Sequence, residues 1–167
     1  MAAVDAAPLF LPYLGDGERD DPSIRTGFVG LSDRHDRAAL AFAVVEGVAL
    51  GVRSVLQVLE DSGSPLSELR VGGGGAKLDL AGQLKADLLG RPVLHLDLDP
   101  AGFGAAMLAA VGAGMYSSVR EAGHEMSAPR VVHFEPNRSH AAVYDDLYGR
   151  YRELYKALRP LFDTLPA

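Results

Sequence analysis

The sequence predicts an α/β fold, helix-rich with a few short strands, and three observations carry that reading. Helical periodicity is sustained across 36–62. Short apolar runs bounded by turn residues recur at 27–31, 69–71, 93–96 and 131–134. A run of four glycines, Gly72 to Gly75, joins one of those runs to a helix. With 167 residues and 48% hydrophobic content, the chain can bury a core of its own, and 1–167 reads as one domain or as part of a larger one.

Taken in order, Leu9-Phe10-Leu11-Pro12-Tyr13-Leu14 is an apolar entry that leads into the loop from Gly15 to Pro22. That loop is too rich in turn formers to be regular. Its acids do not follow the D-x-[DN]-x-[DN]-G order of a calcium loop, so it reads as a solvated turn. Gly27 to Leu31 reads as a strand. From Asp36 to Ser62, Leu40, Val44, Val48, Val52, Val55 and Leu59 step along one face, and Gly63 supplies a C-terminal stop. Alanines and valines around the remaining circumference predict a central helix buried on more than one side. Gly47 and Gly51, four apart, let another element approach closely. Asp36, Arg37, Glu46 and Arg53 interrupt the apolar run, so this helix is not read as a membrane span. Glu46 is expected to hold a structural ion pair or a backbone hydrogen bond.

Leu69-Arg70-Val71 reads as a strand, and Leu80, Leu84 and Leu88 mark one face of a helix that Gly90 ends. Between them lies Gly72-Gly73-Gly74-Gly75-Ala76-Lys77. Glycines there let a ligand approach the backbone and allow positive φ. The free amides and positive dipole end of the next helix favour phosphate, and Lys77 adds a charge. The other reading is a packing device, in which a Cβ at residue 74 would strike Ala105 or its neighbours, and in either case Gly74→Val is expected to destabilise the fold. Neither Walker A, which needs Ser or Thr after the lysine, nor G-x-G-x-x-G is matched. Asp97 and Asp99, near the end of the strand Val93 to Leu96, keep an NAD-type Rossmann reading as the alternative.

Asp99 and Pro100 provide an N-cap and an N1 proline for a helix from Ala101 to Gly114. Built mainly of glycine and alanine, that helix is expected to pack against the glycine strand. Ser117 to Glu125 reads as a short helix, and Val131 to Phe134 as an extended piece closed by Pro136. The last helix sets Tyr144, Tyr148, Tyr151, Tyr155, Leu158 and Phe162 at spacings of three and four, a packing stripe rather than a base-stacking platform.

A formal charge of −6 and pI near 5.3 argue against nucleic acid or an anionic membrane as partner. With no cysteine there is no disulfide framework or thiolate chemistry. The five histidines show no paired-ligand spacing, so no metal site is assigned. The start, Met1 to Asp5, lacks the features of a signal peptide, and a cytoplasmic protein is expected.

In this order the motifs resemble the C-terminal part of the FGGY carbohydrate kinases, and among them the xylulokinases. Leu11-Pro12-Tyr13-Leu14 with Gly17-Glu18-Arg19 is similar to the family's L-P-Y-L-S-G-E-R, one residue longer. Pro22 to Leu31 is similar to P-D-A-R-G-x-F-x-G-L, Val45 to Ala49 to L-E-G-V-A, and Gly73 to Lys77 to G-G-G-A-[KR] followed by Gln83, Ala86 and Asp87. Gly102 to Ala106 stands where the family has A-L-G-A-A. The resemblance implies an actin-like, ribonuclease-H-related ATPase fold in which two domains close on a sugar and a nucleotide. It implies nucleotide contacts, ATP or ADP, at Gly73, Gly74, Gly75, Ala76, Lys77 and Leu78. The family commonly has Ser or Asn at the position of Leu78, an aromatic at Ala81, and an aliphatic residue at Gly72. It also implies Mg2+ and a small sugar, such as xylulose, in a full-length parent. The parent's sugar-binding N-terminal domain and its catalytic aspartate lie upstream, so no catalytic residue is assigned here. The fragment alone is expected to be inactive and to self-associate as a homo-oligomer. A non-catalytic packing or association module is the further alternative.

Overall fold

The structure, a computed structural model, describes residues 7–14, 21–64, 66–126 and 131–165. The loop over 15–20, with most of the acids read as a solvated turn and the Gly17-Glu18-Arg19 motif, lies outside them, as does the extreme N-terminus. The apolar entry forms strand β1 (Leu9–Leu11), which pairs antiparallel with β2 (Gly27–Val29), Leu9 opposite Val29 and Leu11 opposite Gly27. Thr26 Oγ1 donates to the Leu11 carbonyl at 2.7 Å, closing that pair. A second sheet has the order β3 (Leu69–Val71), β4 (Val93–Leu96), β5 (Val131–Phe134). β3 and β4 are parallel, and β5 is antiparallel to β4 with Val93 opposite Phe134.

The helices begin and end where local chemistry requires. In α1 (Arg37–Asp61) the Asp36 carboxylate accepts from the Ala39 amide at 2.8 Å, satisfying an otherwise free N–H. α2 (Asp79–Leu89) stops at Gly90, whose φ of +63° is the left-handed geometry of a helix stop. α3 (Pro100–Gly112) is capped by Asp99, which accepts from the Ala101 and Gly102 amides. Ser118 caps α4 (Val119–Glu125), and α5 (Ala141–Phe162) closes the chain.

The core lies where α1, α2 and α5 meet β1. Leu11, Ile24, Ala49, Leu50, Leu84, Leu88, Tyr144, Tyr148, Tyr151 and Phe162 are buried together, so the tyrosine stripe is a packing face as expected. Gly47 and Gly51 do admit close neighbours: a Cβ on Gly47 would stand 2.4 Å from the Phe10 carbonyl oxygen, and one on Gly51 3.4 Å from Pro12 Cγ. Asp21 is buried between α5 side chains, accepting from Tyr155 Oη at 2.6 Å and pairing with Arg159 at 2.5 Å.

Three expectations are corrected. The residues of α1 that are buried are Ala43, Glu46, Gly47, Ala49 and Leu50, whereas Val48 and Val55 of the expected face are 45% and 59% exposed. Small side chains decided the orientation, because only they let β1 come within backbone contact. Nor does α3 pack along the glycine strand: none of its residues is buried, and it meets the turn at its first residue, Pro100, whose Cγ lies 2.6 Å from where a Gly72 Cβ would stand. Finally, the charges do not by themselves interrupt the apolar run: α1 is long and apolar enough, by length and composition alone, to cross a membrane, a test that a core helix also passes, and Ala49 and Leu50 of α1 lie in the core here.

Candidate nucleotide-binding site

The glycine turn is built by the ends of β3 and β4. Gly72 leaves β3 extended, and the Gly73 amide donates to the Leu98 carbonyl at 3.2 Å, tying the turn to the segment after β4. Gly73 has φ of +73°, and it is the one glycine of this run in the left-handed region. Residues Gly73–Ala76 then form a 3-10 turn, closed by the Lys77 amide donating to the Gly74 carbonyl, before α2 begins behind Leu78.

Against this turn opens a cavity of about 700 Å³, bounded by Gly73, Gly74, Ala76, Lys77 and Asp79 on one side and by His95 to Asp99 with Val132 on the other. It lies outside the carboxyl ends of the parallel strands β3 and β4, where open α/β sheets bind their ligands. Of the six residues expected at a nucleotide, Gly73, Gly74, Ala76 and Lys77 line the cavity. Gly75 and Leu78 do not.

The four glycines separate by cause. Gly72 is required by Pro100, and Gly73 by its backbone angle. A Cβ on Gly74 would meet nothing within 4 Å, and its φ is not positive, so Ala105 does not oppose it and the fold gives no packing reason for a glycine there.

Asp79, Asp97 and Asp99 outnumber Lys77 around the cavity. An excess of carboxylates opposes a triphosphate but suits the hydroxyls and exocyclic amine of a nucleoside. Asp99 is already engaged in capping α3. Among the described residues no group of three His, Cys, Asp or Glu side chains is placed to form an all-protein metal site.

Sequence reasoning missed His95. It is 2% exposed and lies edge-on to Phe134 at 4.7 Å, and neither ring nitrogen makes a hydrogen bond of ordinary geometry, the nearest backbone acceptor being that of Ala76. Burial, and then the charge of buried Lys85, hold its pKa below the ordinary imidazole value, with the Ala76 backbone and Asp79 pulling the other way. Its place in the strand alternation marks it as inward-facing beside Val93, but no motif marks it as part of a site. Glu46 departs from expectation too. It is 2% exposed, its Oε1 has no partner, and burial pushes its pKa up to about 7. Asp87, on the neighbouring helix, is instead engaged by His140 at 3.1 Å, the Asn137 amide at 2.8 Å and Gln83 at 2.7 Å.

A helix-rich lobe with a mixed sheet and a ligand cleft at its glycine turn is the kind of unit found in actin-like ATPases. Residues 1–113 match the FGGY family of carbohydrate kinases, C-terminal domain. The chain is 32% identical over 157 residues to a xylulose kinase of Staphylococcus epidermidis, covering 92% of this chain and 31% of that protein. It superposes on the crystal structure of a xylulose kinase from Rhodospirillum rubrum with TM-score 0.80 and 33% identity, covering 98% of this chain and 33% of that one. A Plasmodium falciparum glycerol kinase crystallised with ADP shares the fold at TM-score 0.67 and 19% identity, over 89% of this chain and 30% of that one. The chain belongs to the FGGY family of carbohydrate kinases and spans about a third of the length of these relatives. The Rossmann alternative falls with this, and with the antiparallel pairing of β5 and the capping role of Asp99.

Proposed function

We propose that this chain is the nucleotide-contacting C-terminal portion of an ATP-dependent carbohydrate kinase of xylulokinase type. In the full-length parent the γ-phosphoryl group of ATP passes to a hydroxyl of a ketopentose such as xylulose, giving xylulose 5-phosphate. Gly73, Gly74, Gly75, Ala76, Lys77 and Leu78 lie along the nucleoside end of the nucleotide. The observation that carries this reading is the turn at Gly74, which opens on the cavity with no packing neighbour to explain its lack of a side chain. Phosphoryl transfer needs both substrates positioned and the phosphate charge neutralised. The catalytic base, the sugar pocket and the Mg2+ ligands belong to the parent's preceding segments, which close over this lobe. The exposed valine face of α1 is the surface those segments cover, and copies of the isolated chain associate through it. A cytoplasmic setting, where ATP is available, follows from the same reading.

Titration calorimetry tests it. Wild type is expected to bind ADP weakly and NAD not at all. Gly74→Val is expected to weaken ADP binding about tenfold or more, a loss of roughly 1.4 kcal/mol. Because residue 74 has open space, its melting temperature should fall by only a few degrees, the order of about 1 kcal/mol for a β-branched residue in a tight turn. Equal ADP affinity in the two proteins would refute the site. The purified 167-residue chain is also expected to show no xylulose-dependent ATP turnover in a coupled ADP-release assay. Turnover by that chain would contradict the placement of the base and sugar pocket upstream.

A further inference from the structure

His95 is a buried polar group at the wall of the cavity that the fold itself leaves unsatisfied. Neither ring nitrogen makes a hydrogen bond of good geometry, the Ala76 backbone offering one ring nitrogen only a poorly placed acceptor, although an imidazole can donate through one nitrogen and accept through the other. The pleat of β4 sends it to the same side as Val93, toward α2. There Phe134 holds its edge, and Gly82 makes room for it, since a Cβ on residue 82 would stand 2.8 Å from His95 Cε1. The glycine turn passes beside it through Ala76, and both residues line the cavity.

We propose that His95 is a binding residue for the nucleoside portion of the nucleotide, hydrogen-bonding the base edge or a ribose hydroxyl, an inference that rests on the nucleotide reading above. The ring is held neutral by burial and by Lys85, so it offers one donor and one acceptor rather than a charge. Asp79, Asp97 and Asp99 line the same cavity and disfavour a phosphate there, so the wall at His95 is suited to neutral polar groups.

The test compares ADP with adenosine, which lacks phosphates, in calorimetric titrations of wild type, His95→Leu and His95→Gln, with thermal melts alongside. His95→Leu should weaken both ligands about tenfold while leaving the melting temperature equal or higher, because it removes an unsatisfied buried group. His95→Gln, which keeps a donor and an acceptor, should stay within about threefold of wild type. If the leucine protein does not fold, His95→Phe fills the same slot and decides the point. Unchanged affinities in the apolar variant, or a loss for ADP alone, overturn the role of His95 while the nucleotide site stands. Failure of wild type to bind either ligand overturns the nucleotide reading and this inference with it.

Discussion

Gly47→Val is expected to lower the unfolding free energy by on the order of 3 kcal/mol, among the largest effects of any single glycine substitution in this chain. A Cβ at residue 47 would stand 2.4 Å from the Phe10 carbonyl oxygen and 3.0 Å from Phe10 Cδ1. The nearer of these is backbone, so no side-chain rotation relieves it. Either β1 leaves α1 or the helix shifts against α2, and each exposes Leu11 and Leu50 of the core. Gly51→Ala is the built-in control. Its Cβ would meet Pro12 Cγ at 3.4 Å and Tyr151 Oη at 3.8 Å, which is ordinary contact, and a helical glycine replaced by alanine gains up to about 1 kcal/mol of propensity. Urea denaturation of both variants should show opposite signs, and a Gly47→Val protein as stable as wild type would mean that β1 does not pack on α1 in this way.

Much of the local architecture was legible because its causes are local. Asp36 and Asp99 cap the helices that follow them, Gly90 ends α2 with a left-handed residue, and the tyrosines of α5 face the core at the spacing that announced them. The strand pairing of β1 was not legible, since a three-residue strand carries too little periodicity to separate it from an apolar loop. The orientation of α1 misled for a physical reason. Its bulky valines and its small residues both repeat at helical spacing, and size suggested the valines, but backbone proximity selected the small ones. In the candidate site, Gly73, Gly74, Ala76 and Lys77 could be read from a contiguous motif. Sequence reasoning brings Asp97 to the turn only through the Rossmann alternative and does not group His95 and Asp79 with it, because the turn after β3, the start of α2 and the end of β4 meet only once the sheet has formed. Whether a buried polar group finds a partner is equally non-local: Glu46 has apolar neighbours along its own helix, and nothing in that stretch announces what α2 and α5 present to it.

The stability of the chain is expected to depend on pH through Glu46, and the size of that dependence is comparable to a core mutation. The carboxyl is buried, and burial raises its pKa from 4.5 to about 7, so the folded state binds its proton more tightly than the unfolded chain does. A group of this kind favours the folded state most when protonated: its contribution is full below about pH 4.5, falls as pH rises through the interval to about 7, and is flat above that. Over that span the loss is about 3 kcal/mol, at up to about 1.4 kcal/mol per pH unit. Tyr144 on α5, Asp87 on α2 and His140, which meets both of them, are titratable groups of the same interior, and Tyr144, held above its ordinary range by burial and then by the Glu46 and Asp87 carboxylates, adds no charge below about pH 9. Glu46→Gln removes the titration while keeping the shape, so the difference between the two proteins isolates this one group from every other acid in the chain. At about pH 8 the glutamine variant should be the more stable by about 2–3 kcal/mol, because an unpaired buried carboxylate is the costlier occupant. At about pH 4.5 the two should agree to within about 1 kcal/mol, where residue 46 is neutral in both folded proteins. Urea titrations at the two pH values decide it: a gap that stays constant, or a wild type more stable than the variant at the higher pH, would show that Glu46 has a partner that neutralises it.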